Sequence, residues 1–411
     1  MRIGIFVALL LITALVSKVN AQQVCGSADY QQKAWLSNPS VKTMMDKVEG
    51  IIQQQMDGGS KTQQRGEHLF LITIPVVVHV VYHDASQNIS DEYINSQIKV
   101  LNQCFRRLNA DSANTPERFR SLAADCDIEF KLAISDPTRR ATTGIVRRYS
   151  PVSKWESDDK VKYTREGGDD AWDPSSYLNI WVCNLNRMLG YASFPGGEAA
   201  KDGVVMNFNS FRGSKTLVHE TGHWMGLKHL WGDEECGDDG VSDTPKQNTF
   251  TSGCPSGIRL SPCGNSPNGD MYMNYMDFTN DECINMFTEG QKTKMRSLFN
   301  KGAIRQNILV SLGLQKPLIS EIPIGETEPK WFFANVYPNP SAGEVTLDLT
   351  YDVRWVGKMI TITSSQGLPQ MQTVISSKVM KLDISKLKTG VYFLTAKKDD
   401  GEQIKQKLIN L

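Results

Sequence analysis

Three histidines and a glutamate stand together in the segment HETGHWMGLKH, residues 219–229. His219 and His223 are four residues apart, a spacing that places both imidazoles on one face of an α-helix, where they can bind the same metal ion. Gly226 tolerates the positive φ that turns the chain sharply out of a helix, so His229 can return as a third ligand. Three protein ligands leave a fourth coordination position open for water, which is typical of a catalytic rather than a structural zinc ion.

Glu220 follows the first histidine and is the candidate general base. A carboxylate in this position can take a proton from a zinc-bound water molecule and return it to the leaving amine of a cleaved peptide bond. The shorter pattern His-Glu-x-x-His also arises by chance on amphipathic helices, but three of the six histidines of the chain fall in this one segment. The sequence therefore predicts a zinc-dependent endopeptidase. The alternative is a surface-binding protein with a structural zinc site, which would have no need of a carboxylate beside the metal.

The elements that must position these side chains can be predicted from the hydrophobic pattern. A helix over about 214–226 carries the histidines. Residues 71–82 are β-branched and almost continuously apolar, which predicts a buried strand. One helix begins at Ser90, because the apolar residues after it recur at helical spacing, and another begins at Thr288. Further strands are predicted at 127–134, 177–185, 189–194 and 203–207.

The first residues have the pattern of a secretory signal peptide, residues 1–21. Arg2 supplies the positive charge, an apolar run follows, and the small side chain of Ala21 suits the cleavage site. The apolar run is shorter than the roughly 20 residues that a membrane-spanning helix needs, and no later stretch is apolar enough to span a bilayer. Residues 22–65 are polar and glutamine-rich with one predicted short helix, and they are interpreted as a pro-segment.

The composition limits the domain count and the partners. A chain of 411 residues is expected to form two or three domains. Its 45 Lys and Arg balance its 45 Asp and Glu. A nucleic-acid-binding protein would usually show a basic excess, and a polybasic attraction to anionic membranes is equally unsupported. The expected partners are therefore protein or peptide substrates.

Export would place the eight cysteines in an oxidising compartment, where disulfides persist. Cys104 and Cys126 are candidates for one disulfide, and Cys183 on a buried strand is predicted to be a free thiol. Four other cysteines lie in a loop-rich stretch after the histidines, which cross-links would stabilise. The residues alone permit three pairings of these four, which are Cys236, Cys254, Cys263 and Cys283.

The long histidine pattern is the signature of the metzincin metallopeptidases, which also have a methionine-containing turn below the metal. Met276, in the segment MNYMDF, fits that turn. Over about residues 70–300 the chain resembles the pappalysin family of metzincins. Besides the zinc motif, the resemblance rests on IPVVVHVVY (74–82), LNIWV (178–182), GYA (190–192), VSDTP (241–245) and NYMD (274–277). It implies an α+β catalytic domain with a twisted mixed sheet, an active-site helix and an irregular lower subdomain.

The resemblance also implies features of the loop-rich stretch. It implies the disulfides Cys236–Cys263 and Cys254–Cys283. It implies structural calcium in the loop after the histidines, where oxygen ligands suited to Ca²⁺ are available; the alternative is a solvated acidic loop. The implied calcium ligands are Asp238, Asp239, Asp243 and Thr244.

Three further residues take roles from the same resemblance. Asp281 matches a position that lines the S1′ pocket of members that cleave before arginine, where a buried carboxylate would pair with the guanidinium; the alternative is an exposed loop acid. Phe278 replaces a tyrosine of related enzymes, whose hydroxyl can stabilise the oxyanion. Cys25 resembles a zymogen-switch cysteine, whose thiolate would fill the open zinc position until cleavage near Arg65. The alternatives for Cys25 are a disulfide or a free thiol.

The C-terminal residues form a separate unit in the sequence pattern. Residues 303–330 are interpreted as a linker between a catalytic domain over 66–302 and a small all-β sandwich over 331–411. The segments VYPNPSAG (336–343), GVYF (390–393) and KQKL (405–408) resemble the sorting domain of the type IX secretion system of Bacteroidetes-type Gram-negative bacteria. This resemblance implies export through the periplasm to the cell surface or medium. The alternative is a generic binding sandwich.

Overall fold

A computed structural model describes residues 24–59, 70–211, 213–320, 335–349, 355–397 and 403–411. The predicted signal peptide and the predicted cleavage site near Arg65 lie outside these ranges. None of the helices in the described ranges combines the length and the apolar character that a bilayer span requires.

The described residues contain α-helices mainly in the first three quarters of the chain and strands throughout. The helices are α1 (Ser27–Ser37), α2 (Pro39–Gly59), α3 (Asp91–Phe105), α4 (Glu117–Arg120), α5 (Thr216–Trp224) and α6 (Glu289–Ser297). The first seven strands are β1 (Val24–Cys25), β2 (Ile72–Tyr82), β3 (Ile128–Leu132), β4 (Ile145–Tyr149), β5 (Leu178–Cys183), β6 (Met188–Ala192) and β7 (Val204–Asn207). The others are β8 (Asn335–Tyr337), β9 (Glu344–Asp348), β10 (Met359–Ser364), β11 (Pro369–Val374), β12 (Val379–Asp383), β13 (Gly390–Lys397) and β14 (Gln403–Asn410).

The first seven strands form one mixed sheet around β2, which is buried along almost its whole length. Strands β3, β4 and β5 pair with β2 in parallel. Strand β7 pairs in parallel with β5, and β6 is antiparallel to β7. The N-terminal strand β1 adds to the outer side of β6 in parallel. The predicted mixed sheet is confirmed, and β4 is a strand that the sequence pattern missed, since its residues are all half-buried.

Helix α3 begins where the sequence predicts. The Ser90 hydroxyl accepts a hydrogen bond from the backbone N–H of Tyr93, which satisfies one free donor of the first turn. The apolar side chains of Ile94, Leu101 and Phe105 are all buried on one face of the helix. This face packs into the large apolar core that also includes β2, β5 and α5.

Residues 225–288, between α5 and α6, contain neither helix nor strand. Two disulfides cross-link this irregular region, Cys236–Cys263 and Cys254–Cys283, and they are the pairs that the family resemblance implies. The predicted pair of Cys104 with Cys126 is wrong, because both are free thiols in the apolar core. A buried thiol packs as a small apolar group and needs no cross-link there. Cys183 is also free and buried, as predicted.

The predicted linker begins too early, because residues after 303 pack on the catalytic domain. Arg305 is only 4% exposed, and its guanidinium binds the carboxylate of Asp202 at 2.8 and 3.1 Å. The same guanidinium donates to the carbonyl of Trp224 at 2.9 Å and lies 3.6 Å from the centre of its ring. Ile308 is buried in the main core. This segment therefore holds the end of α5, and a composition rich in prolines and charges did not show that.

The last seven strands form two antiparallel sheets, as the sequence predicts. One sheet has the order β11-β10-β13-β14 and the other has the order β12-β9-β8. Alternate side chains of β9 and β13 point inward, which is the pattern of strands with one buried face. Their core is an apolar cluster of its own and includes Val345, Leu347, Ile360, Leu394 and Leu408.

Candidate active site

The three histidines of the motif converge at the end of α5. His219 and His223 are on the helix, and His229 follows the turn after it. The Nε2 atom of His223 lies 3.0 Å from Nε2 of His219 and 3.1 Å from Nε2 of His229, and the third pair is 3.2 Å apart. All three side chains are at most 5% exposed.

The other nitrogen of each ring is held by an oxygen acceptor. Nδ1 of His219 donates to the carbonyl of Tyr275 at 2.6 Å, and Nδ1 of His223 donates to the carbonyl of Leu227 at 2.8 Å. Nδ1 of His229 donates to the carboxylate of Asp233. These bonds place the proton on Nδ1 and leave a lone pair on each Nε2. Burial lowers the pKa of His219 to about 3 and also lowers that of His223, so both rings stay neutral.

This donor set fits a zinc ion. The three Nε2 atoms lie within 3.2 Å of one another, and none of them carries a proton for a hydrogen bond between the rings. A cation bound between them would satisfy all three lone pairs. A tetrahedral zinc ion with Zn–N bonds of about 2.0–2.1 Å and a Zn–S bond of about 2.3 Å places two nitrogens about 3.3 Å apart and a nitrogen and a sulfur about 3.5 Å apart. The sulfur of Cys25 lies 3.4 Å from Nε2 of His223, and these four residues offer ligand atoms within 4.8 Å of one another.

Two glycines and a methionine shape the metal-binding helix from below. A Cβ atom on Gly222 would lie 2.5 Å from the sulfur of Met276, so this glycine lets the methionine pack directly under the helix. Met276 is fully buried. Gly226 has φ of 84°, which lets the chain leave α5 and return to the metal centre with His229. Met276 therefore packs directly under the helix that carries His219 and His223.

Glu220 lies beside the histidines and is completely buried. Its Oε2 accepts a hydrogen bond from the Ser27 hydroxyl at 2.7 Å, while Oε1 has no hydrogen-bond partner among the residues that the structure describes. Burial raises the pKa of Glu220 to about 7, and the hydrogen bonds from Ser27 and Cys25 partly oppose this rise. A Cβ atom on Gly190 of β6 would lie 3.0 Å from Cγ of Glu220, so a glycine leaves space for the glutamate.

The N-terminal segment fills the space in front of Glu220. Cys25 and Gly190 are paired residues of β1 and β6, and the N–H of Gly26 donates to the carbonyl of Gly190 at 2.8 Å. The Ser27 hydroxyl, besides donating to Glu220, accepts a hydrogen bond from the N–H of Ala192 at 2.9 Å. The segment is therefore fixed to the edge of the sheet and to the candidate general base at the same time.

Comparisons with known proteins agree with this geometry. The family model of pregnancy-associated plasma protein-A, a peptidase family, matches residues 162–300, and that of the secretion system C-terminal sorting domain matches residues 335–410. An extracellular metalloprotease of Arthroderma gypseum is 31% identical over 318 residues, which are 73% of this chain and 90% of that protein. Extracellular metalloprotease 1 of Coccidioides posadasii is 32% identical over 56% of this chain and 78% of its own length.

Two solved structures from Tannerella forsythia are also similar. Mature mirolysin in complex with a cleaved peptide is 45% identical, with a TM-score of 0.58, over 59% of this chain and 97% of that chain. A variant of promirolysin is 41% identical, with a TM-score of 0.63, over 70% of this chain and 97% of that chain.

The chain belongs to the pregnancy-associated plasma protein-A family of metallopeptidases. It is a secreted zinc metalloendopeptidase in its zymogen form, with a C-terminal secretion-system sorting domain. The N-terminal segment of residues 24–59 is referred to below as the pro-segment.

A cavity of about 530 Å³ opens beside His219 in this metallopeptidase, and both Asp281 and Phe278 line it. Asp281 is solvent-exposed on the cavity wall, so it combines the predicted place in a pocket with the exposure of the alternative, an exposed loop acid. Its Oδ2 accepts a hydrogen bond from the backbone N–H of Lys215 at 3.0 Å, and the ammonium of Lys215 pairs with Asp111. The ring of Phe278 lies 4.8 Å from that of His229, where it can pack against the histidine but cannot donate a hydrogen bond.

The loop of the implied calcium site brings only some of its predicted ligands together. The Thr244 hydroxyl lies 2.9 and 2.8 Å from the two carboxylate oxygens of Asp239 and 2.8 Å from the carbonyl of Val241. Burial raises the pKa of Asp239 to about 7. Asp238 instead accepts from the N–H of Gly240 and pairs with a lysine at 3.5 Å.

Asp243, the fourth predicted calcium ligand, lies at the start of α6. Its carboxylate accepts hydrogen bonds from the Thr288 hydroxyl at 2.7 Å and from the N–H of Gly290 at 2.8 Å. A carboxylate at a helix N-terminus satisfies free N–H donors and interacts favourably with the helix dipole. This contact gives Asp243 a structural task that the local sequence did not reveal.

Sequence reasoning missed two polar contacts of the active site. Asp233 lies four residues after His229. An acid so close to a predicted histidine ligand could have indicated the hydrogen bond to Nδ1 of that histidine. Ser27 gave no such signal, because it meets Glu220 from 193 residues away in the chain.

Proposed function

We propose that this enzyme hydrolyses peptide bonds at a zinc ion held by His219, His223 and His229, with Glu220 as the general base. The observation that carries the proposal is the convergence of three Nε2 lone pairs whose orientation is fixed by oxygen acceptors on Nδ1. Zinc, when bound, supplies a Lewis acid that polarises the scissile carbonyl and increases the acidity of a water molecule.

Glu220 is suited to move a proton twice in each cycle. A carboxylate beside the metal centre can accept a proton from a water molecule and release it again to the leaving amine. Its Oε1 has no other partner among the described residues. We infer that this oxygen takes the proton of the attacking water and then delivers it to the leaving amine.

Strand β6 is suited to align the substrate once the pro-segment has left. Loss of β1 frees the edge of β6, and an extended peptide can add to such an edge through backbone hydrogen bonds. The cavity with Asp281 lies near Leu189, close to the beginning of β6. An antiparallel substrate would therefore place residues after the scissile bond at this cavity and residues before it near Ala192. The Tannerella forsythia relative is known in its mature form with a cleaved peptide.

The pro-segment keeps the precursor latent in this proposal. Cys25 offers its sulfur as the fourth zinc ligand, and the Ser27 hydroxyl donates a hydrogen bond to the carboxylate of Glu220. Because β1 is parallel to β6, the pro-segment runs opposite to an antiparallel substrate, so its own peptide bonds are presented with reversed polarity. Removal of the segment would expose zinc, base and strand edge together.

Metal analysis with an activity assay tests the proposed site. The processed enzyme is expected to contain one zinc ion per chain and to cleave a denatured protein, and chelation should abolish cleavage until zinc is restored. Zinc-free protein that still cleaves would contradict the zinc site.

We further propose a calcium ion bound by Asp239, Thr244 and the carbonyl of Val241, so the same metal analysis is expected to find calcium. Calcium-free protein of full stability would contradict the calcium site.

Asp281 is proposed to select arginine after the scissile bond. A guanidinium in the cavity would form charge-assisted hydrogen bonds with this carboxylate. Replacing Asp281 by asparagine is expected to lower kcat/KM about tenfold for peptides with arginine at that position. This effect is in the lower part of the range for hydrogen bonds to charged groups, because the carboxylate is exposed. Peptides with leucine there should change little. Cleavage-site profiling of a denatured proteome measures both values.

The neighbouring acid Glu282 provides a matched control, because it also lines the cavity. Glu282→Gln should leave the arginine preference unchanged. An unchanged preference in Asp281→Asn, or the loss of preference in Glu282→Gln alone, would contradict the assignment of Asp281.

The sorting domain is proposed to direct export through the periplasm of a Gram-negative bacterium by a type IX system. Its match over residues 335–410 supports this route. Deletion of residues 331–411 is expected to leave the enzyme in the periplasm, because the domain that directs the last export step is missing. The catalytic domain should still fold, since the apolar core of the sorting domain is separate from the catalytic core. Immunoblots of periplasm and medium would show the location. Normal amounts of truncated enzyme in the medium would contradict the route.

A further inference from the structure

Tyr30 of the pro-segment occupies a polar and aromatic pocket beside β6, on the catalytic domain. Its side chain is 7% exposed, and its hydroxyl donates to Oδ2 of Asp159 at 2.9 Å. The Tyr30 ring lies 4.8 Å from the ring of Tyr191. Tyr191 is a residue of β6, so this pocket adjoins the strand that is proposed to align the substrate.

Lys162 forms the floor of the Tyr30 pocket and is fully buried. Its ammonium pairs with Oδ1 of Asp159 at 2.8 Å and donates to the carbonyl of Lys201 at 2.6 Å. It also lies 5.1–5.4 Å from the centres of three aromatic rings, which are those of Tyr30, Trp181 and Tyr191. A buried ammonium ion requires such compensation from a carboxylate, a carbonyl and ring faces.

The pocket remains on the enzyme when the pro-segment is removed, because only Tyr30 belongs to that segment. Lys162 fixes one carboxylate oxygen of Asp159, and the other oxygen would be left to accept a hydrogen bond. The hydroxyl of Tyr191 is buried and has no hydrogen-bond partner among the described residues, so it is a second polar group available in the pocket. The phenol ring of a substrate tyrosine would replace both contacts of Tyr30. Its hydroxyl would donate a hydrogen bond to Asp159, and its ring would be the third aromatic face beside the Lys162 ammonium.

We propose that the processed enzyme uses the Tyr30 pocket as a substrate subsite for a tyrosine on the N-terminal side of the scissile bond. This inference rests on the proposed peptidase function and on an antiparallel substrate along β6. Tyr191 and Ala192 stand at the end of β6 that is away from the Asp281 cavity. Residues before the scissile bond would lie at this end.

The position of the tyrosine in the substrate follows from the path of the pro-segment. Cys25, at the metal centre, is joined to Tyr30 by a short extended stretch and the first turn of α1. At about 3.3 Å per extended residue and about 1.5 Å per helical residue, the two lie within about 11 Å of each other along the chain. An extended peptide covers this distance in about three residues, so the third or fourth residue before the scissile bond is expected to enter the pocket.

A peptide library tests the subsite directly. Each peptide has arginine after the scissile bond and tyrosine, phenylalanine, leucine or alanine at one of the second to fifth positions before it. The processed wild-type enzyme is expected to prefer tyrosine over phenylalanine at least about fivefold in kcat/KM at one of these positions, since a site that binds a hydroxyl rejects the analogue that lacks it. Asp159→Asn should bring that ratio close to one and leave the preference for arginine unchanged.

The neighbouring Asp158 supplies the control, because it pairs with Lys160 on the surface. Asp158→Asn should keep the wild-type ratio. Equal cleavage of tyrosine and phenylalanine peptides at every position by the wild-type enzyme would overturn the subsite while leaving the peptidase function intact, and this result needs no variant to fold. If no peptide is cleaved at all, the proposed function fails and the subsite fails with it.

Discussion

The Glu220→Ala variant of the processed enzyme is expected to lose about 10²- to 10⁴-fold in kcat, the range that a general base typically contributes. It should keep one zinc ion per chain, because the three histidines and their Nδ1 acceptors do not depend on the glutamate. Substrate KM should change little, since the proposed binding along β6 and in the cavity does not involve Glu220. Steady-state kinetics and metal analysis of the same preparation measure all three quantities.

Two further variants make the Glu220 result specific. Glu220→Gln keeps the size of the side chain and removes its basicity, so it should lose activity to a similar extent without a packing defect. His223→Ala should lose zinc as well as activity. Retained hydrolysis by a zinc-bound Glu220→Ala enzyme would contradict the general-base role. Such an outcome would also reopen the alternative of a zinc site that serves only the structure.

The Cys25→Ala variant of the unprocessed precursor is expected to show at least about tenfold more peptidase activity than the wild-type precursor. Loss of the proposed fourth zinc ligand would weaken the binding of the pro-segment to the metal centre, and about 1.4 kcal/mol is enough for a tenfold change in an equilibrium. The activity should stay below that of the processed enzyme, because Ser27 still binds Glu220 and Ala192. Initial rates on a short fluorogenic peptide, with mass spectrometry to show an intact chain, provide the measurement.

Ser27 allows the two contacts of the pro-segment to be separated. Ser27→Ala alone is expected to raise precursor activity less than Cys25→Ala, because it removes hydrogen bonds but leaves the sulfur at the metal centre. The double variant should be more active than either single variant. Cys126→Ala, which changes another buried free thiol outside the pro-segment, should leave the precursor latent. Equal inactivity of the wild-type and Cys25→Ala precursors would rule out the cysteine as the latency element.

The sequence predicted the parts of this protein that depend on neighbouring residues. The spacing of His219 and His223 is local to one helix, and Gly226 provides the turn that His229 needs. Strand β2 was predicted because its residues are β-branched and almost continuously apolar, and helix α3 because its apolar residues recur at helical spacing. The half-buried strand β4 has no such period, and it was missed.

Tertiary structure decided the contacts between segments that are far apart in the chain. The alignment of β1 on β6 brings Ser27 to Glu220 and Tyr30 to Asp159, and no local pattern encodes that alignment. The packing of Arg305 on Trp224 likewise made the beginning of a predicted linker part of the catalytic domain.

The candidate metal ligands could therefore be predicted from the sequence itself, because helical geometry puts His219 and His223 on one face and Gly226 provides the turn that brings back His229. The surroundings that tune them were decided only by the folded sheet and loops, because burial and hydrogen bonding depend on which distant segments meet. Asp281 shows the difference: its place beside the histidines was implied by resemblance to a family, whereas its exposure on the cavity wall became known only from the structure.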